Sequence, residues 1–296
     1  MFLHILPLIL LFLLGYFLKR IKLLDLSAAD LLLKLVFNVS LPALIILSVS
    51  GIDLQAGFIL LPISAVIIVL ITYVVSYVLG NILKLNKTTF GVYLVGAMIM
   101  NMAFVYPFVI AAYGAEGLAR AVLFDFGNGA VTLTFVYFIA CKYGSGGKSS
   151  ELFKKLLISP PIWGLIIGLV LNISGLRIPL VLENFLHMAG DMTIALIMLS
   201  LGIYLNLNLK GALPLLSSAV IRSGFGLLAG LALVSLFGLE GIIRKIVLIS
   251  SAAPVGFNTL TFSAMENLDK EFAAKLVSFS TLAGIIIIPL LITILD

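Results

Sequence analysis

Apolar runs long enough to cross a membrane recur along this chain, at residues 2–18, 28–50, 57–81, 90–112, 117–141, 156–173, 180–206, 212–237, 242–265 and 270–294. No other feature constrains the fold as strongly, because about 20 apolar residues of helix span the roughly 30 Å hydrocarbon core of a bilayer. In that solvent every backbone polar group must be paired inside the structure, and runs of this length satisfy that as helices. The expected fold is therefore an all-α polytopic membrane protein with ten transmembrane helices. Composition agrees, with 62% hydrophobic and 10% charged residues and a mean hydropathy of +1.27. The single cysteine, Cys141, excludes an internal disulfide, and two histidines, His4 and His187, leave little for a metal centre.

The net charge of +5 is best read through the loops and not as a signature of nucleic-acid binding. Loops after odd-numbered runs carry Lys19, Arg20, Lys22, Lys84, Lys87, Lys142, Lys148, Lys154, Lys155, Lys210 and Lys270; the opposite side has Arg120, Arg177, Arg244 and Lys245. Eleven against four places the odd-numbered loops in the cytoplasm and both termini outside, in a plasma (inner) membrane. The first run has its basic residues after it and no small-residue cleavage site, so it reads as a retained helix and not a cleaved signal.

The two halves repeat. An offset of 153 pairs Pro7 with Pro160, Gly15 with Gly168, Leu23 with Leu176 and Leu54 with Leu207. It also lays Asp30, Lys34 and Asn38 on Glu183, His187 and Asp191, each set forming one polar stripe along a helix. Further on the offset becomes about 155, where Arg120 meets Lys275, Phe124 meets Phe279, Asp125 meets Ser280 and Gly129 meets Gly284. The expected organisation is a first five-helix repeat over 1–141, a Gly/Ser/Lys linker over 142–155 in the cytoplasm, and a second repeat over 156–296. An odd number of crossings per half inverts the second copy, the build of many secondary transporters.

Two corresponding runs are interrupted. NMAFVYP, residues 101–107, places Asn101 and Pro107 inside the fourth; SSAAPVGFNTL places Pro254, Gly256 and Asn258 inside the ninth. Proline lacks a backbone donor and clashes with the preceding turn. Half-helix N-termini at such breaks suit anions, and freed carbonyls suit cations. The plainer alternative is a pair of proline kinks repaired by neighbouring helices. Asp125 and Asn128 share a face of the fifth run, as a functional carboxylate or as a structural pair of Asp125 with Arg222. Asp191 is either the deepest member of a proton-passing ladder with Glu183 and His187, or the buried end of a wet helix terminus. Arg222, some turns into the eighth run, pairs with an acid, binds an anionic substrate or snorkels. GSGGKSS lacks the spacing and context of a phosphate-binding loop, and no hydrolase triad or metal-ligand cluster appears. An enzyme is not expected, nor is a cofactor.

FNVSLPALII, NMAFVYPFVIAAYG, APVG and FSAMENLDKEFAAKLVSFSTLAGIIIIP resemble the auxin efflux carrier family, which includes plant PIN carriers and prokaryotic carriers for acids such as malate or malonate. The resemblance covers essentially the whole chain, without the long cytoplasmic loop of many plant members. It implies the fold of sodium/bile-acid symporters and sodium/proton antiporters. In that fold helices 1, 2, 6 and 7 form a scaffold, often a homodimer, while helices 3–5 and 8–10 form a transport domain. Helices 4 and 9 cross at their breaks. Carried onto this chain, Asn101, Pro107, Pro254, Gly256 and Asn258 line or support the substrate, with Ser40, Pro42 and Ser48 facing it from the scaffold. Asp125, Asn128, Asp191 and Arg222 serve ion coupling or support. Ala195 stands where the repeat predicts a match to Pro42.

The expected function is efflux-type secondary or facilitative transport of a small organic anion by alternating access in a lipid bilayer. A proton is favoured over sodium as the coupling ion. The alternatives are a sodium-coupled anion symporter and a transporter-fold sensor without flux.

Overall fold

In the computed structural model, which describes residues 2–52, 56–144, 159–205 and 212–296, the apolar runs are helices and no β-strand forms among the described residues. The Gly/Ser stretch from 145, with Lys148, Lys154 and Lys155, lies outside the described residues, as do Lys210, Leu54 and Leu207. The helices are α1 (Phe2–Arg20), α2 (Leu26–Leu35), α3 (Leu41–Ser50), α4 (Leu60–Ile82), α5 (Lys87–Met98), α6 (Met102–Val131) and α7 (Tyr137–Tyr143). After them come α8 (Pro160–Ser174), α9 (Leu180–Tyr204), α10 (Ala212–Ala219), α11 (Gly226–Phe237), α12 (Gly241–Ser251), α13 (Asn258–Met265) and α14 (Lys270–Leu295).

Six continuous helical stretches among the described residues are long and apolar enough to cross a membrane: Leu26–Ser50, Gly57–Ile82, Met102–Tyr143, Leu180–Tyr204, Leu213–Phe237 and Lys270–Leu295. Three of them run on through π-helical turns, at Val36–Ser40, Thr132–Val136 and Val220–Phe225. The stretch Met102–Tyr143 has 42 residues, about 63 Å at helical rise and twice what one crossing needs. It is interrupted at Gly114, whose φ of 60° and ψ of −153° leave helical geometry and suit only glycine. Large apolar side chains stay exposed along these helices, among them Val181, Met188, Leu236, Ile286 and Ile294, and along α8 at Ile173. Such a surface is costly in water and ordinary against lipid.

The chain forms two compact units. Unit 1 comprises Met1–Phe58, Tyr106–Leu123 and Leu157–Leu205. Within it α1 lies so close to α9 that a Cβ on Gly15 or Gly202 would overlap the carbonyl oxygen of Leu199 or Phe12. Small residues permit that approach, as they do between membrane helices generally. The pair is tied at one end by Lys19 Nζ donating to Leu205 O at 2.9 Å, and the Tyr204 hydroxyl ties α9 to α2 by donating to Asp30. Helix α3 meets α8 in the same way, with Gly164 under Pro42 and Gly168 against Val49. Asn172 then fixes the end of α3 by donating to the carbonyls of Val49, Ser50 and Ile52 at 3.1, 3.1 and 2.6 Å. Those carbonyls belong to a helix end and have no intrahelical donor.

Unit 2 comprises Ile59–Val105, Phe124–Leu156 and Asn206–Asp296. Its centre is α5, buried over nearly its whole length because α4, α7, α10 and α14 all pack on it. Asn86 caps it by accepting from Thr89 N at 2.9 Å, and the Tyr93 ring packs with Ala97 and Ile221 beside Val75, Leu79 and Phe272. A helix apolar on every face belongs in the middle of a bundle. This one is both central and interrupted.

Candidate functional site: the crossed helix breaks

Helix α5 stops at Met98 because Ile99 takes an extended conformation, φ −79° and ψ 122°. The chain restarts as α6 after Asn101, whose Oδ1 accepts from Phe104 N at 3.1 Å as an N-cap. Helix α12 stops at Ser251 ahead of Pro254, which cannot continue it, and α13 starts at Asn258. The two extended segments run antiparallel and pair: Met100 bridges Val255, Asn101 N donates to Pro254 O at 2.9 Å, and Gly256 N donates to Ile99 O at 2.9 Å. Met100 and Val255 are 155 residues apart, the offset at which the sequence matches itself here. Each break thus supplies the backbone partner that the other lost.

The surrounding helices complete that pairing. Asn128 Oδ1 accepts from Met100 N at 3.4 Å while its Nδ2 donates to Met100 O at 3.3 Å, so the side chain stands in for a third strand. Its Nδ2 also donates to Asp125 Oδ1 at 2.8 Å. On the other segment Val255 N donates to Ser280 Oγ at 3.1 Å, and Ser280 is the position that the repeat matches to Asp125. Gly256 makes room for Ile99, since a Cβ there would overlap the Ile99 side chain.

Arg222 lies at the other side of the breaks. It is 0% exposed, on the π-helical turn of Val220–Phe225. Its Nη1 donates to Met98 O at 3.1 Å and Ala97 O at 3.4 Å, and its Nη2 donates to Ser251 O at 2.9 Å. One guanidinium thus caps the C-terminal ends of α5 and α12 together. Converging helix C-termini carry partial negative charge and unpaired carbonyls, and a buried planar cation answers both. The pairing of Asp125 with Arg222 is not what forms: Asp125 meets Asn128, and Arg222 meets carbonyls.

Three polar atoms at the breaks lack partners. Asn101 Nδ2, Ser250 Oγ and Thr259 Oγ1 are buried and have no hydrogen-bond partner, with Asn101 only 3% exposed. Buried polar atoms are nearly always paired, so three such atoms at the two breaks require an explanation. Asn101 Nδ2 is a donor only, while the two hydroxyls donate or accept. Asn101 and Thr259 stand at the N-terminal ends of α6 and α13, where neutral donors suit an anion, and Ser250 stands at the C-terminal end of α12.

The other expected residues are placed as follows. Pro107 is not at the break: it is buried inside α6, and the backbone opens upstream at 99–101. Asn258 is exposed as the first residue of α13, whereas Pro254 and Gly256 are buried in the break. In unit 1 Ser40 is buried with an unpartnered Oγ, Pro42 occupies the first turn of α3, and Ser48 Oγ donates to Leu44 O at 2.8 Å. Asp191 is exposed on α9, after an exposed His187 and a half-buried Glu183. Asp30, Lys34 and Asn38 are exposed as well.

One buried acid escapes a reading of the sequence. Glu266, 2% exposed at the end of α13, accepts from the Tyr137 hydroxyl at 2.5 Å. It stands in ENLD, which reads as a polar loop; its only signal is that the loop joining α13 to α14 is short.

Exposed apolar helices around a buried, broken and repaired pair of helices define an integral membrane protein built as a transporter. The chain matches the model of the membrane transport protein family over residues 1–292 and belongs to that family, the auxin efflux carriers. It is 28% identical over 297 aligned positions to an uncharacterized transporter of Methanothermobacter thermautotrophicus, covering 97% of this chain and 95% of that one. It is 26% identical to an uncharacterized transporter of Methanocaldococcus jannaschii, covering 97% and 96%.

Proposed function

We propose that this protein is a secondary transporter of a small organic anion such as a carboxylate, working by alternating access. The observation that carries the reading is the pair of crossed breaks, with unpartnered donors on Asn101 and Thr259 beside two helix N-termini. An anionic cargo held there is met by neutral donors and oriented dipoles, which bind it without the reorganisation a salt bridge needs. Arg222, whose Nη1 and Nη2 donate to Met98 and Ser251 while its buried Nε has no partner, holds the two helix ends together beside the cargo.

The proposal extends to topology. α5 with the first part of α6, and α12 with α13, each make one crossing broken at its middle, and Gly114 joins two successive crossings. The chain then crosses ten times as two inverted repeats, with the basic loops inside and both termini outside. Unit 1 collects α1–α3, α8 and α9, the helices assigned to a dimeric scaffold, and also takes Tyr106–Leu123 from α6. Unit 2 carries the breaks and moves with the cargo aboard. Asp125, linked to the break through Asn128, is the coupling carboxylate in this reading.

The test is a thermal-shift series on the purified chain with malonate, malate and indole acids. Wild type is expected to be stabilised by one of these, and Asn101→Ala to lose most of that stabilisation while keeping its unliganded melting temperature within a few degrees. An undiminished shift in the variant moves the anion away from the breaks. Binding without flux in proteoliposomes selects the sensor alternative, and sodium-dependent uptake selects a symporter.

A further inference from the structure

Glu116 and Arg120 form an ion pair at 2.8 Å, and Glu271 and Lys275 form another at 2.6 Å. These two pairs occupy the same place in the two repeats: the offset of 155 carries Glu116 onto Glu271 and Arg120 onto Lys275. Both pairs stand at the start of a helix. Gly114 interrupts α6 just before Glu116, and Asp269, its repeat counterpart, caps α14 just before Glu271 by accepting from Phe272 N at 2.9 Å. An acid in a first helical turn with a base four residues on is a common, weakly stabilising arrangement whose side chains both lie in solvent.

These pairs depart from that pattern. In each the base is sunk and the acid exposed: the side chains are 5% and 60% exposed for Arg120 and Glu116, and 14% and 79% for Lys275 and Glu271. Arg120 lies over the Phe58 ring, its guanidinium carbon 4.8 Å from the ring centre. Its Nη2 meets the Glu116 carboxylate and its Nη1 donates to Glu116 O at 3.0 Å, while the buried Nε has no partner. A guanidinium offers two edges to carboxylates, and the Nε edge is one of them. A half-paired buried cation whose counter-ion is exposed and free to swing away is arranged to exchange one carboxylate for another.

We infer that Glu116–Arg120 and Glu271–Lys275 are repeat-related anion-receiving latches, one serving each face of the membrane. The inference rests on the anion-transport reading and its inverted topology, which put the start of the Glu116 helix outside and that of the Glu271 helix inside. An arriving organic carboxylate displaces the glutamate from the buried cation, is stripped of water there, and is then released for transport. The glutamate returns behind it. Each acid competes with cargo at its own face, and each base recruits it there.

The experiment measures initial influx of radiolabelled malonate into right-side-out and inside-out vesicles containing the full chain. Glu116→Gln is expected to lower the KM about threefold in right-side-out vesicles only, and Glu271→Gln to do so in inside-out vesicles only, the size of one screened charge contact. Arg120→Gln and Lys275→Gln should raise KM about tenfold at those same faces with little change in kcat. Arg120→Lys should restore part of the loss. The glutamate variants keep an amide acceptor for the buried cation, and their melting temperature in detergent checks that they fold. Equal effects in both vesicle types, or none, overturn the latches while wild-type flux leaves the anion reading standing. A wild-type chain that neither transports nor is stabilised by malonate, malate or an indole acid overturns that reading and the latches together.

Discussion

At the scale of single residues, the site depends on side chains that replace backbone partners. Asn128 is bonded to both the N–H and the C=O of Met100. Asn128→Leu leaves the Met100 N–H unpaired and buried, while Met100 O keeps Met102 N as a donor at 3.1 Å; the expected loss is about 1–3 kcal/mol, read as a lower melting temperature in detergent. Arg222→Met strips three carbonyls of their donor in a fully buried position. That should cost about 3–5 kcal/mol, the range for breaking a buried charged contact. If either variant melts like wild type, the residue does not hold the breaks. Asp125→Asn keeps the contact to Asn128 sterically and removes only the charge; it should abolish the pH dependence of uptake, with Asp191→Asn as the comparison that leaves it intact. The sequence exposed Asn101 and Pro254 by their oddity in apolar runs. It did not expose the cap role of Arg222, because a buried arginine looks the same whether it meets an acid, a ligand or a carbonyl. Glu266 was hidden by standing among other polar residues.

Helices carry the next level of the argument. The apolar runs predicted their own helices, because hydrocarbon leaves a long run few alternatives. What they did not predict is where a helix stops. Pro107 draws the eye in NMAFVYP, yet the chain opens at Ile99, and proline inside a helix only frees the carbonyl of Ala103. Nor were the π-helical turns visible, although one of them aims Arg222 at two helix ends. Close approach is equally an element property. A methyl at Gly256 collides with Ile99, so Gly256→Ala should weaken anion-induced stabilisation, and the double change Gly256→Ala with Ile99→Ala should recover it. Absence of recovery would indicate that the backbone conformation of Gly256, and not its space, is what matters.

For the whole molecule, the sequence repeat and the structure meet at a few residues. The offset that matches Asp125 to Ser280 also joins Met100 to Val255 across the breaks and relates the ion pairs Glu116–Arg120 and Glu271–Lys275. The apolar matches alone were too permissive to establish this, since leucine matches leucine in any membrane protein. The topology makes its own prediction. With Cys141 replaced by serine, a cysteine at Lys84 should react with an impermeant maleimide only from the cytoplasmic side, and one at Gly175 only from the outside. Labelling of both from one side would overturn the inverted arrangement. The guanidinium of Arg222 has a consequence for movement as well. By riveting the ends of α5 and α12 to one point, it makes the cross a rigid frame. In the transport cycle we propose, such a frame does not release its cargo by bending open; it is carried whole to where water reaches it, and the pace of that cycle is set by what the frame slides past.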